Sequence, residues 1–169
     1  ATAAMTSLWN DESAGAKQIS LIAENQTSPH IPPTNDSKIG KTPHTKFAIN
    51  CEMWFHNLNF IDRIKMAASL GFPAIEFWPW KGKNLDQIQL ACKTHNIEVA
   101  QFTAWGFFPG LNDPQNHNEF IEEIKRSCEV AHKINAKRMT VVAGQNLPGI
   151  PKKKMLDSVQ KGLEMAAPI

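Results

Sequence analysis

The stretch "AIEFWPWKGKNLDQIQLACKTHNIEVAQFTA", residues 74–104, shows the alternation of apolar patterns on which the fold prediction rests. Short apolar runs at its two ends, 74–78 and 98–104, each predict a strand. Between them, residues 84–96 have apolar side chains at helical spacing behind Asn84, a suitable N-cap. A strand, a helix and another strand in this order predict parallel strands joined by a helical crossover.

The same alternation continues on both sides of this stretch. Strands are predicted at 46–53, 74–78, 98–104 and 138–144. A helix is predicted after each strand, at 59–71, 84–96, 116–136 and 151–167. The first connection, "CEMWFHNLN", has no glycine, whereas a nucleotide-binding doubly wound sheet usually has a glycine-rich first turn. The pattern therefore favours a (β/α)₈ TIM barrel of the α/β class.

A barrel of this kind needs eight βα units and typically about 250 residues. Residues 47–169 hold four units, so we expect the first half of a barrel and a chain that is part of a longer protein. Residues 1–46 are rich in Pro, Ser, Thr and Asn and lack an apolar period. They are predicted to form a disordered or loosely attached N-terminal arm.

Capping residues support the helix boundaries. Asn59 is a suitable N-cap for the first helix, and Gly71 is a suitable stop. Pairs that resemble capping boxes open the next two helices: Asn84 with Gln87, and Asn116 with Glu119. Pro151 lies near the start of the last helix, whose predicted apolar stripe is Met155, Val159 and Leu163.

Composition argues against two kinds of partner. The net charge is +2 and no dense basic stripe occurs, so we expect no nucleic-acid partner. No apolar stretch approaches the ~20 residues of a membrane span, and no signal peptide is visible, so we expect no membrane partner. The three cysteines form no CxxC pair and are predicted to be buried free thiols in a reducing, cytoplasmic compartment. Association of the chain into a homo-oligomer is compatible with the sequence.

Polar side chains near the carboxyl ends of the strands are the first site candidates, because barrel active sites lie there. Asn50, Glu76, Gln101 and Thr103 interrupt apolar runs. Glu76 and Trp78 share strand parity, so they are expected to point inward together. One interpretation is a shelf that binds hydroxyl groups of a small polar ligand. The alternative is an inner polar cluster that pairs with itself or with later strands.

Aromatic residues crowd the predicted loops after the strands: Trp54, Phe55, Trp78, Trp80, Trp105, Phe107 and Phe108. They are predicted to wall a small pocket, or else to cover the barrel end without touching a ligand. His56 is the only histidine near this mouth. One interpretation is a ligand or a general acid, and the alternative is a surface residue of the loop. Motifs such as HxH, HExxH and paired carboxylates are absent from the sequence, so it shows no complete metal site.

Four stretches together resemble the hydroxypyruvate isomerase family of the xylose-isomerase-like barrel superfamily: "FAINCEMWF", "GFPAIEFWPWKGKNLDQI", "EVAQFTAWGF" and "MTVVAG". The resemblance runs from about Phe47 to Ile169. It implies an isomerase that converts hydroxypyruvate to tartronate semialdehyde with a divalent metal, Mg²⁺ or Mn²⁺. It also implies that the metal ligands and two proton-moving glutamates come from strands five to eight.

Those strands would follow Ile169, so the resemblance assigns no catalytic residue and no metal ligand to this chain, which is expected to be inactive alone. What it carries over is the first half of the substrate pocket, to which we assign six substrate-binding residues: Asn50, His56, Glu76, Trp78, Gln101 and Trp105. The substrate would be a small hydroxy-carbonyl acid or a sugar.

Three alternative functions stand beside this one. A ketose 3-epimerase would have the same fold and metal with a longer sugar. An apurinic-site endonuclease is disfavoured, because it needs zinc-binding histidines at early strand ends, where this chain has Trp78, Ala104 and Gly144. A non-catalytic sugar-binding or interaction protein represents a different class.

Overall fold

A parallel sheet with one helix after each strand forms the part of the chain, residues 39–169, that the computed structural model describes. The strands are β1 (Ala48–Asn50), β2 (Ala74–Phe77), β3 (Glu98–Trp105) and β4 (Met139–Val141). The helices are α1 (Phe60–Ser69), α2 (Leu85–His95), α3 (His117–Ile134) and α4 (Lys152–Ala166), with a 3₁₀ turn at Pro114–Asn116. The strand order is β1-β2-β3-β4, which confirms a partial (β/α)₈ barrel.

The predicted N-terminal arm lies outside the described residues as far as residue 38. Its last residues include an isolated antiparallel bridge between Lys41 and Lys46. The Gly40 N–H donates to the Leu70 carbonyl at 2.8 Å, so this segment is tied to the end of α1.

Two of the predicted helix caps are confirmed. The Asn59 Oδ1 accepts the Asp62 N–H at 3.0 Å, and the Asn84 Oδ1 accepts the Gln87 N–H at 3.1 Å. Each cap satisfies one of the orphan N–H groups at a helix start. Gly71 follows the end of α1 with φ 83°, a left-handed conformation that glycine adopts without strain.

The cap predicted for α3 is wrong. Asn116 already has right-handed helical dihedrals and makes no capping bond, whereas an N-cap needs an extended backbone. Its Nδ2 donates instead to the Gly110 carbonyl at 2.8 Å. Asp113 opens the preceding 3₁₀ turn by accepting the Gln115 N–H at 3.0 Å, so the chain enters α3 already coiled.

The first strand is shorter than predicted. It ends at Asn50 because the Asn50 Oδ1 accepts the N–H groups of Glu52 at 2.8 Å and Met53 at 3.0 Å. A side chain that bonds its own following backbone makes an Asx turn, which competes with extended structure.

The apolar core lies between the sheet and the helices. Strand residues such as Ile75 and Phe77 meet helix residues such as Ile64 and Ile88 there, and all four are fully buried. In α4 the predicted stripe is partly wrong: Leu163 is 45% exposed, and Met155, Ser158 and Gly162 are the buried residues. No helix within residues 39–169 is both long enough and apolar enough to cross a membrane.

Candidate functional site: a polar floor at the carboxyl ends of the strands

Three side chains from neighbouring strands meet on the face of the sheet opposite the helices. The Asn50 Nδ2 donates to the Glu76 Oε1 at 2.8 Å, and the Gln101 Nε2 donates to the Glu76 Oε2 at 2.6 Å. The register pairs Asn50 with Glu76 and Glu76 with Gln101 across β1, β2 and β3. We call these three residues the polar floor. Of the six predicted substrate-binding residues, the structure brings these three into contact.

A register shift in β3 decides that Gln101 belongs to the floor. Ile75 pairs with Val99, but the next residue, Glu76, pairs with Gln101 and not with Ala100. An extra residue of this kind puts two neighbours on the same side of a strand. Without the shift, Gln101 would face the helices, because successive residues of a strand point to opposite faces.

The two amides of the floor differ in freedom. The Asn50 Oδ1 already accepts two backbone N–H groups, so its Nδ2 has to face Glu76. Asn50 is also only 9% exposed. Gln101 makes no second side-chain hydrogen bond with any residue of the described chain and is partly exposed. Asn50 is therefore a fixed donor, whereas Gln101 can turn over to suit a ligand.

The loop after β2 is held by a lysine and a glutamate that sequence reasoning missed. The Lys83 ammonium binds the Glu52 Oε1 at 2.7 Å and the carbonyls of Trp78 and Pro79 at 2.7 and 2.8 Å. It also lies 5.0 Å from the centre of the Phe60 ring. The available signal was position, because Glu52 and Lys83 follow neighbouring strands and such loops meet at one rim.

Trp78 directly follows β2, the strand that carries Glu76, and is 45% exposed. Trp80, predicted as pocket wall, points elsewhere: its Nε1–H donates to the Ser127 Oγ on α3 at 2.9 Å. Lys81 binds the Glu123 carboxylate on the same helix at 2.8 Å. Trp80 and Lys81 therefore attach the loop to α3, whereas Trp78 of the same loop stays exposed.

Two further predicted residues are not on the floor. Trp105 is only 4% exposed and packs edge-on against Phe120 of α3, with ring centres 5.3 Å apart. A second register irregularity, between Thr103 and Trp105, moves it to the helix side. His56 is exposed in the loop after β1, and its carbonyl accepts a long 3.4 Å bond from Arg63. Within residues 39–169, neither side chain forms a hydrogen bond with a floor residue.

The loops after β3 and β4 are locked together by Asn112. Its N–H donates to the Ala143 carbonyl at 2.8 Å, and its Nδ2 donates to the Gln145 carbonyl at 2.6 Å. Its Oδ1 is buried without a hydrogen-bond donor and faces the Cα atoms of Gly110 and Gly144. A Cβ on either glycine would collide with this oxygen, so the close approach of the two loops requires glycine at both positions.

The thiols near the site are poor nucleophiles. Burial raises the pKa of Cys51 to about 12 and that of Cys92 to about 11. All three cysteines are free, and Cys128 is less buried than the other two, so the prediction of buried thiols holds fully for two of them. Within residues 39–169, no group of three or more His, Cys, Asp or Glu side chains is arranged to hold a metal ion.

A cavity of about 550 Å³ lies at the other end of the sheet, near the amino ends of the strands. Its lining includes Lys41, Lys46, Phe72 and His95. Its lining contains none of the floor residues, so this cavity is separate from the candidate site.

Four parallel strands, each followed by a helix, define an α/β protein of the barrel type. The model of the xylose isomerase-like TIM barrel family matches residues 64–169, and the chain belongs to this family. The predicted superfamily is therefore confirmed. Curated protein sequences give no match to the chain.

Solved structures show the same fold. An AP endonuclease, family 2, from Brucella melitensis superposes with a TM-score of 0.67 at 21% identity, over 73% of this chain and 50% of that one. A sugar phosphate isomerase/epimerase from Parabacteroides distasonis gives a TM-score of 0.58 at 15% identity, over 82% and 51%. The chain thus spans about half the length of these proteins. At such identities the likeness shows the fold and leaves the activity open.

Proposed function

We propose that the chain provides the substrate-orienting half of a small-sugar or sugar-acid isomerase, with hydroxypyruvate as the substrate. The observation that carries the proposal is the Glu76 carboxylate, held by the amides of Asn50 and Gln101 at 2.8 and 2.6 Å. A carboxylate has about four lone-pair sites, and these amides occupy two of them. The remaining sites suit a substrate hydroxyl.

In this proposal the floor orients the substrate and does not move protons. Asn50 is fixed by its own loop, so it fixes one carboxylate oxygen, and Gln101 adjusts the other. Holding a reactant in one orientation is itself a large part of catalysis. A divalent metal, Mg²⁺ or Mn²⁺, would polarise the carbonyl and acidify the neighbouring C–H bond, with ligands expected outside residues 39–169.

A ketose 3-epimerase is the second candidate, because the same floor suits a hydroxyl of a longer neutral sugar. The sequence stretches that resemble hydroxypyruvate isomerases favour the first candidate. A non-catalytic sugar-binding protein would bind through the same floor, and turnover in a complete protein separates it from both enzymes.

Binding of hydroxypyruvate to the 169-residue chain tests the proposal, with the affinity measured by NMR titration. Gln101→Leu removes one amide of the floor at similar size and should weaken binding about tenfold, which corresponds to ~1.4 kcal/mol. Gln87→Leu changes an exposed glutamine on α2 and serves as the matched control. Equal affinities for both variants and the unmodified chain would refute a binding role of the floor. With Mn²⁺ or Mg²⁺ added, we expect no turnover by the chain alone.

A further inference from the structure

We infer that the polar floor receives the neutral, hydroxyl-bearing end of the substrate and that the acidic end points away from it. The inference rests on the proposed function and assigns an orientation within the same site. Its basis is the hydrogen-bonding capacity of the three floor residues and the occupation of the nearby cations.

The floor can both accept and donate. Each oxygen of Glu76 accepts one amide N–H and keeps accepting capacity, while the Asn50 and Gln101 amides each retain a second N–H. A hydroxyl group donates and accepts, so it can bond the carboxylate and an amide together. A substrate carboxylate only accepts, and it would place its oxygens beside those of Glu76 without a proton between them.

Cations that could offset this repulsion are already engaged. Lys83 is only 15% exposed at its side chain and is bound to Glu52 and two carbonyls. Arg63 donates to the carbonyls of Leu58 and Cys51, both at 2.9 Å. Lys81, in the same loop as Lys83, is paired with Glu123. In the described loops after β1 and β2, every lysine is therefore already bonded, and a cation could reach the floor only after one of these bonds breaks.

The next positions toward the mouth are also neutral. Thr103 follows Gln101 by two residues on β3 and pairs in register with Thr140 on β4. Both threonines are partly exposed. Their hydroxyls extend the floor as an uncharged, hydrogen-bonding strip, which suits a chain of hydroxyl groups better than an anion.

Two small probes separate the two ends of hydroxypyruvate. Dihydroxyacetone replaces the carboxylate by a CH₂OH group, and pyruvate keeps the carboxylate but lacks the hydroxyl. The side-chain amide signals of Asn50 and Gln101 in the ¹⁵N-labelled full chain report on the floor directly. We expect dihydroxyacetone to shift both signals at concentrations about tenfold lower than pyruvate.

Glu76→Gln should narrow or reverse this preference. The glutamine keeps one oxygen for the fixed Asn50 donor, and the Gln101 amide can turn over to accept from the new NH₂ group, so the variant is designed to fold. Pyruvate should then bind several-fold more tightly and dihydroxyacetone more weakly. Glu129→Gln, at an exposed position on the outer helix α3, makes the same change of net charge away from the floor and should leave both affinities unchanged.

The outcomes separate the inference from the proposed function. If pyruvate shifts the floor signals at concentrations equal to or below those of dihydroxyacetone, the orientation is wrong while a sugar-acid function stands. If hydroxypyruvate and both probes leave the floor unchanged, the proposed function fails and the inference fails with it. Should Glu76→Gln not fold, Gln101→Leu takes its place: a dihydroxyacetone affinity that falls about tenfold while the pyruvate affinity changes less supports the inference, and an equal fall for both probes overturns it.

Discussion

The two faces of the sheet are built from alternate residues of the same strands, and they differ in what they contribute. In β2, Ile75 and Phe77 face the helices and are fully buried, whereas Glu76 between them faces the other way and stays partly exposed. The helix face gains stability from the removal of apolar surface from water. The inner face gains little, because its hydrogen bonds replace bonds to water.

The two faces are expected to differ in how well they tolerate substitution. A buried apolar face loses packing with any truncation, since protein interiors are close-packed. The polar floor depends instead on donor and acceptor matching, so a change that preserves the match should cost little stability and still alter binding. Stability and recognition are thus assigned to opposite faces of the same strands.

The largest expected effect is on the helix face. Phe77 stacks on Phe102 at 5.8 Å and meets Phe60 edge-on at 5.5 Å, so Phe77→Ala should reduce the free energy of unfolding by about 3–5 kcal/mol. Urea unfolding followed by tryptophan fluorescence measures the change. Phe108→Ala, at a residue that is 75% exposed, is the control and should change it by less than about 0.5 kcal/mol. Equal losses in both variants would contradict the assignment of stability to this face.

On the inner face, two substitutions of Glu76 should differ from each other. Glu76→Leu leaves the Asn50 and Gln101 amides without their acceptor and should cost about 1–3 kcal/mol. Glu76→Gln should cost less than about 1 kcal/mol, because Gln101 can turn over and restore the match. The same urea experiment compares them, with Glu129→Gln, at an exposed position on α3, as the control for charge. A Glu76→Gln variant as unstable as Glu76→Leu would show that the charge, and not the hydrogen bonding, matters.

The pH dependence of stability tests burial at Cys51, which directly follows the floor residue Asn50 and is fully buried. Burial raises the pKa of its thiol to about 12 from the ordinary value of 9.0. Between pH 9 and pH 12 the thiol is deprotonated in the unfolded chain but still protonated in the folded chain. The stability that this group contributes below pH 9 is therefore lost as the pH rises. The loss is at most about 1.4 kcal/mol per pH unit for this group.

Between pH 8 and pH 11, the free energy of unfolding should therefore fall more steeply for the unmodified chain than for Cys51→Ala. The comparison concerns the slope, because Cys51→Ala also leaves a cavity that lowers stability at every pH. Cys128→Ala, at a less buried cysteine, should keep the steeper slope. Parallel slopes for Cys51→Ala and the unmodified chain would contradict a buried, neutral thiol.

The smallest effect should come from a pair on neither face. Lys153 binds Asp157 one helical turn away on α4 at 2.8 Å, and both side chains are mostly exposed. Lys153→Ala should change the free energy of unfolding by no more than about 0.5 kcal/mol. A loss above 1 kcal/mol by the same measurement would indicate a packing role for the lysine stem.

Prediction from sequence succeeded where the cause is local. The helix caps Asn59 and Asn84 act on residues three positions away, so their neighbours in sequence suffice to find them. It failed at Asn116, where the preceding turn had already fixed the backbone, and at Leu163, which depends on how α4 sits against its neighbours.

The candidate site shows the same limit. Asn50, Glu76 and Gln101 were found because polar residues in apolar strands need partners. Lys83 and Glu52 were missed, since their pairing depends on how two loops meet. Their positions after neighbouring strands place both residues at one rim, but the conformation of the two loops decides that these side chains pair.

The alternation of strands and helices and the polar side chains at the strand ends can both be read from the sequence, because they follow from periodicity and composition. Which of these side chains share a face depends on the folded sheet. One register shift brings Gln101 to Glu76, and another turns Trp105 toward Phe120. Register is set by pairing between strands, and a slip of one residue moves a side chain to the opposite face of the sheet.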